Sequence, residues 1–188
     1  LVQGDAMKLD LAALIDERFN DCGCVKVCAN LPYYITSPII MRLLESKLKI
    51  DEIIVMVQRE AAERLCAQIG SRDAGAVTVA VNYYAQAEVL FNVGRESFMP
   101  SPKVDSAVIK IKLRTHPEYE VKNEEKLFAL VKAAFSQRRK TLVNSLSNTG
   151  GASKSSVIEA LNKLGLSTTI RAENLTMEDF VNLCDLLF

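Results

Sequence analysis

The sequence predicts an α/β domain of doubly wound type over residues 1–115, followed by a small all-helical domain over residues 116–188. Three observations predict it. Strand-like and helix-like segments take turns between residues 25 and 69. A run near residue 110 alternates apolar and charged side chains. Beyond His116-Pro117 the apolar residues recur at helical spacing.

Val25–Ala29 and Ile53–Val57 are short β-rich runs. The second is apolar throughout, the pattern of a strand covered on both faces of a parallel sheet. Between them Ser37 is placed to cap a helix and Pro38 to occupy its first position, with Ile39, Ile40, Leu43 and Leu44 on one face. A further helix is expected from about Arg59 to Ile69, ending near Gly70. Strand, helix, strand, helix is the order of βαβ units. Val77–Val81 alternates, so local propensity alone makes it a strand. Val89, Phe91 and Val93 alternate as well. So do Ile109, Ile111 and Leu113 against Lys110, Lys112 and Arg114, and these two runs are expected to pair antiparallel at one sheet edge.

In the second domain Leu127, Leu130, Val131, Ala134 and Phe135 fall on one helical face. Ser153 is placed to cap a helix carrying Val157, Leu161 and Leu164, which Gly165 stops. Thr176, with Asp179 three residues on, starts a last helix carrying Phe180, Leu183 and Leu187. Gly150-Gly151 reads as a flexible joint.

With 49% apolar residues in 188, the chain can bury one good core and a smaller satellite. Lys+Arg and Asp+Glu are equal at 23 each, so net charge does not announce a polyanionic partner. Distribution does: Lys126, Lys132, Arg138, Arg139, Lys140 and Lys154 fall between residues 126 and 157, where no acid occurs. Cys22, Cys24 and Cys28 crowd together, but Cys22-Gly23-Cys24 lacks the usual zinc-knuckle gap and the single histidine, His116, is distant. Reduced thiols, no metal and a cytoplasmic location are expected. No apolar run reaches membrane-spanning length and no signal-peptide pattern occurs.

Asn30-Leu31-Pro32-Tyr33 closes the first strand, at the end where open α/β sheets bind ligands. An ordinary strand-to-helix turn uses the same residue types. The group also suits chemistry at an adenine amine, whose lone pair is delocalised into the ring. An Asn30 oxygen and a main-chain carbonyl would accept the amine hydrogens and favour its nucleophilic form, and Pro32 exposes a neighbouring carbonyl in a fixed geometry. Tyr33 offers a flat face to a base taken out of its stack, a contact worth about 1–3 kcal/mol. Phe98 lies in a stiff loop with prolines at 100 and 102 and is placed as the opposing wall; a core aromatic at a loop entry would look the same.

Four motifs in order resemble the ribosomal RNA adenine dimethyltransferases: residues 30–38 (NLPYYITSP), 57–65 (VQREAAERL), the Phe98–Val108 loop and strand, and 134–142 (AFSQRRKTL). The resemblance covers essentially the whole chain. It implies an incomplete Rossmann-like class I methyltransferase sheet, S-adenosylmethionine as cofactor, and dimethylation of the N6 amines of two adjacent adenines in small-subunit ribosomal RNA; a monomer is expected. It makes Asn30, Leu31, Pro32, Tyr33 and Phe98 catalytic, and Asp5 and Asn30 cofactor residues. Asp5 as a simple helix-capping carboxylate competes with that role. Lys103, Gln137, Arg138, Arg139 and Lys140 become RNA-facing, against the alternative of a solvated helix start. It also turns Val77–Val81 into a helix. Two other functions stay open: a non-catalytic RNA-binding or ribosome-assembly module, and an antibiotic-resistance methyltransferase acting on large-subunit RNA. The eight glycines contain no Gly-x-Gly, so the glycine-rich cofactor loop is expected upstream of Leu1, and weak cofactor binding is expected of this chain alone.

Overall fold

The computed structural model describes residues 1–116, 118–149 and 151–188, the side chains of Asn148 and Thr149 aside. Gly150, half of the expected joint, lies outside the described residues, as does Pro117. The chain divides into two compact units. One is Leu1–Cys66 with Tyr84–His116; the other is Ala67–Tyr83 with the chain after His116.

In the first unit the strands β1 (Lys26–Asn30), β2 (Glu52–Gln58), β3 (Ala85–Val93) and β4 (Ser106–Leu113) form one sheet among the described residues, in the order β1-β2-β4-β3. β1 and β2 are parallel, and β4 runs antiparallel to both β2 and β3. A parallel pair needs a crossover, and α2 (Thr36–Glu45) supplies it. Ile53, Val55 and Val57 stand opposite Ile111, Ile109 and Ala107, and these side chains form the buried face. The other face of β2 is only half covered: Ile54 and Met56 are half-buried, which corrects the expectation of burial on both faces. Its neighbours are Lys110 and Cys28 for Ile54, and ion pairs Lys26–Glu52 and Lys110–Glu88 line the same face.

Among the described residues β1 is a sheet edge, and its residues alternate between exposed and half-buried. β3 and β4 pair as expected, with a bulge at Leu90 that interrupts the alternation. Val89 stands opposite Ile109 and Phe91 opposite Val108, so both rows of β3 are largely exposed.

α2 starts two residues earlier than expected. A 3-10 turn over Tyr33–Ile35 runs straight into it and Ile35 is the cap, so Ser37 lies inside the first turn and caps nothing. Ile40, Leu43 and Leu44 are buried, as the periodicity requires. α3 (Arg59–Leu65) stops short of Ile69. The next residue but one, Ala67, belongs to the other unit, where its carbonyl accepts from the Asn82 side chain at 3.2 Å. A helix that no apolar period marks, α1 (Leu11–Phe19), is capped by Asp10 and buries none of its residues fully. Arg42 of α2 donates to the carbonyls of Ala6 and Leu9, tying the segment before α1 to the crossover helix. At the end of the sheet remote from Asn30, Asp51 accepts from the Val25 N–H at 2.8 Å, which holds its carboxyl below the usual range. The same carboxylate pushes the neighbouring Cys24 thiol up.

The second unit contains α4 (Ala76–Tyr84, apart from its last residue), α5 (Glu124–Ala134), α6 (Leu142–Thr149), α7 (Lys154–Lys163) and α8 (Met177–Leu187). α4 forms where alternation suggested a strand. Thr78, Val79, Ala80, Val81 and Tyr83 are all buried, so burial on several sides overrides the β propensity of its valines. The anticipated signals hold in α7 and α8. Ser153 accepts from the Ser156 N–H at 3.1 Å, Gly165 takes φ +68°, and Thr176 and Asp179 make a reciprocal capping box. Leu127, Leu130, Leu142, Leu146, Leu161, Phe180 and Leu183 form the core.

Burial pushes the Cys66 thiol up to about 11, and burial with the neighbouring Glu124 pushes the Tyr83 phenol up to about 12. Both groups are neutral when protonated, and their folded values lie above their unfolded ones. The stability they hold is therefore intact below about pH 9 and is lost as pH rises towards 11 and 12. Thermal melts are expected to show a lower midpoint at about pH 11 than at about pH 8, with Tyr83→Phe reducing the difference. Equal midpoints would overturn this.

Candidate active site

The C-terminal ends of β1 and β2 meet the start of β4 at one end of the sheet. Asn30 closes β1 opposite Met56, and the Leu31 N–H extends the ladder to the Met56 carbonyl at 3.4 Å. Leu31 is buried, anchoring the turn, while Asn30 and Pro32 are exposed. The Pro32 carbonyl is already taken, accepting from the Ile35 N–H at 3.1 Å and the Thr36 hydroxyl at 3.3 Å. Among the described residues, no hydrogen bond is made by the Asn30 side chain or to the Leu31 carbonyl. Two neighbouring acceptors are thus left for a ligand, and the main-chain one is on Leu31.

Tyr33 follows on the 3-10 turn, 38% exposed, with its hydroxyl 3.0 Å from the Ser106 Oγ. The tip of the ring is thus held at the first residue of β4. Phe98 lies in the loop from β3 into that same residue. The loop is pinned at several points: the Arg95 N–H donates to Asp105 Oδ1 at 3.1 Å, the Ser101 hydroxyl to the Arg95 carbonyl at 2.9 Å, and the Phe98 N–H to the same carbonyl at 3.3 Å. Phe98 itself is half-buried with extended backbone, and the Met99–Pro100 bond is cis. The structure therefore brings Asn30, Leu31, Tyr33 and the Phe98 loop to one end of one sheet. Lys103 lines a cleft of about 340 Å³ with Arg59, Arg95 and Asp105 beside that loop.

The sequence profile described as ribosomal RNA adenine dimethylase matches residues 1–187. The chain belongs to this family. Among curated proteins it is similar to ribosomal RNA small subunit methyltransferase A of Geobacillus thermodenitrificans, 45% identical over the whole chain and 65% of that protein. The protein of the same name from Caldanaerobacter subterraneus is 46% identical, over the whole chain and 69% of its own length. The chain thus spans about 65% of the length of the first of these relatives. Among solved structures it is similar to a dimethyladenosine transferase from Plasmodium falciparum, with TM-score 0.75, 25% identity and coverage of 97% of this chain and 70% of that one. The 23S rRNA methyltransferase ErmE aligns with TM-score 0.61 and 22% identity over 96% of this chain and 79% of its own, a likeness of fold. The Rossmann-like methyltransferase fold expected from the motifs is the fold of this dimethylase-family chain.

The remaining expected site residues of this family member fall elsewhere. Asp5 is exposed; its Oδ1 accepts from the Met7 N–H at 2.9 Å, and Lys8 approaches its Oδ2 at 3.9 Å. It caps its own turn, while α1 is capped by Asp10. Gln137–Lys140 lies in the turn between α5 and α6, not in a helix start. Arg138 is engaged within its own unit, donating to the Arg72 carbonyl at 2.6 Å and lying 3.9 Å from Glu173. Arg139 and Lys140 are exposed and make no ion pair among the described residues. The acid-free stretch of sequence is therefore partly neutralised in space by Glu173. Sequence reasoning missed that acid, and it missed the roles of Ser106 and Asp105, whose partners lie 73 and 10 residues away. Their sequence signal is their place in the Phe98–Val108 motif, at the head of an otherwise apolar-alternating strand.

Among the described residues no group of three or more His, Cys, Asp or Glu side chains is placed to hold a metal ion. No helix of the described residues is long and apolar enough to cross a membrane.

Proposed function

We propose that the protein to which this chain belongs dimethylates the N6 amines of two adjacent adenines in small-subunit ribosomal RNA, in the cytoplasm, with S-adenosylmethionine as donor. The observation that carries the proposal is the pair of unengaged acceptors, the Asn30 amide oxygen and the Leu31 carbonyl, beside the Tyr33 ring at the C-terminal sheet end. A ligand offering two N–H donors from one nitrogen matches that pair. An adenine amine is such a ligand, and its ring would lie against Tyr33 with Phe98 opposite.

In this reading Asn30 and Leu31 hold both amine hydrogens, drawing the nitrogen towards a pyramidal form with an available lone pair. The aromatic walls fix the nitrogen in line with the methyl group. S-adenosylmethionine, when bound, supplies the electrophilic methyl; the Asp5 carboxylate and Asn30 suit its donors. The methylated amine is strongly acidic while cationic, so its proton leaves to water without a dedicated base. Small-subunit RNA is favoured over large-subunit RNA because the relatives with about 45% identity carry the small-subunit name, whereas the 23S enzyme is a likeness of fold.

The test is methyl transfer by the full-length protein to unmethylated small ribosomal subunits and, separately, to large subunits. The expected product is N6,N6-dimethyladenine in the small-subunit RNA. Binding without transfer would favour a docking module, and transfer only to large subunits would favour the resistance type. For the RNA surface, Arg139→Glu with Lys140→Glu is expected to weaken RNA binding while leaving the melting temperature unchanged. The slope of log K against log salt should shrink by about 0.7–0.9 for each phosphate that is no longer neutralised. An unchanged slope would make the run a merely solvated turn. Arg138→Glu should also destabilise the fold, since it loses the Arg72 carbonyl and Glu173.

A further inference from the structure

We infer that Asp105 and Ser106 are positioning residues that set the two aromatic walls of the base site, an inference that rests on the proposed base-methylating function. The two are adjacent in sequence, and each holds a different wall. Ser106 is fully buried, and its Oγ meets the Tyr33 hydroxyl at 3.0 Å. Asp105 accepts from the Arg95 N–H at 3.1 Å, and Arg95 in turn offers its carbonyl to the Phe98 N–H and the Ser101 hydroxyl. The main chain of the same aspartate accepts from the Arg59 N–H at 3.0 Å, at the start of α3.

The anchor is rigid for a topological reason. Ser106 stands on β4 between two paired strands, opposite Gln58 of β2 and Val93 of β3. Tyr33 is otherwise carried by an exposed turn leaving an edge strand, the least constrained part of the sheet. A ring held only at its Cα would swing about its side-chain torsions. Held also at its hydroxyl, it presents one face in one place. Phe98 is likewise on a loop, and its position is inherited from the Arg95 turn that Asp105 pins. The spacing of the walls is thus referred to two consecutive residues, the first residue of an interior strand and the one just before it, which suits a site that must hold a flat base in line for transfer.

The experiment uses the full-length protein with S-adenosylmethionine and small ribosomal subunits, measuring kcat and KM for the RNA substrate. Ser106→Ala is expected to lower kcat about tenfold, with KM changed less than about twofold. Tyr33→Phe removes the same hydrogen bond from the exposed side, without touching the core, and should produce a similar loss. The double variant should be no slower than either single one, and Ser106→Thr, which keeps the hydroxyl, should restore the rate. Asp105→Ala should lower kcat by a similar factor and Asp105→Asn, which keeps the acceptor, should not. Additive losses in the Ser106–Tyr33 cycle, or full activity of Ser106→Ala, would overturn the inference while wild-type activity left the functional proposal standing. No transfer by the wild-type protein would instead remove the functional proposal, and the inference with it.

Discussion

Asn30→Ala in the full-length protein is expected to lower the methyl-transfer rate by at least about 10²–10³-fold, the range seen when one preorganised polar group is removed from a reacting centre. Affinity for RNA should stay within about twofold, because Asn30 is one exposed side chain at the end of β1 and belongs to a different unit from Arg139 and Lys140. Stability should hardly change, since the side chain makes no hydrogen bond among the described residues and sits on a sheet edge. Single-turnover transfer, filter binding and thermal melting separate these three outcomes. Retained activity would remove Asn30 from the centre and leave the Leu31 carbonyl as the sole amine acceptor. Loss of RNA binding together with activity would mean that the residue serves docking instead.

Phe180→Ala is expected to be the most damaging change outside that site. The ring has no exposed surface, lies in the middle of α8, and has Phe135 tilted against it with centroids 6.0 Å apart. Truncating a buried phenylalanine costs about 3–5 kcal/mol through reduced burial and the cavity left behind. A typical domain is stable by only about 5–15 kcal/mol, so the helical unit should be close to unfolding at ambient temperature. Because the chain forms two compact units, urea titration is expected to resolve two transitions in the variant, with the helical one shifted to lower denaturant. A shift below about 1 kcal/mol would show that the core repacks around the missing ring.

Much of the helical unit was legible because its signals are local. Thr176 reaches Asp179 and Ser153 reaches Ser156, three residues on, and Gly165 ends α7 through its own backbone angle. Such signals survive in a sequence window. α4 did not read correctly by itself, since Val77–Val81 alternates like a strand; only the motif resemblance made it a helix, and its burial shows why it can be one. No apolar period marked α1 or α6: α1 buries no residue fully, and serine and asparagine dilute the period of α6. The early start of α2 was hidden by a 3-10 turn that needs no capping side chain.

For the candidate site, the residue types were readable and their support was not. Asn30, Leu31, Pro32 and Tyr33 are contiguous, so their chemistry can be judged from the sequence, and Phe98 follows from its stiff loop. Sequence order also determined the α/β-then-helical division of character and the family motifs. Tertiary structure alone decided that the free main-chain acceptor is on Leu31, because Thr36 and Ile35 occupy the Pro32 carbonyl. It decided that Arg138 is partly a structural residue, because Glu173 approaches from 35 positions along the chain. It also decided that Asp105 and Ser106 hold the aromatic residues. The physical reason is one of range. Periodicity, capping and turn chemistry act over three or four residues, whereas a hydrogen bond across a sheet joins groups that no sequence window contains together.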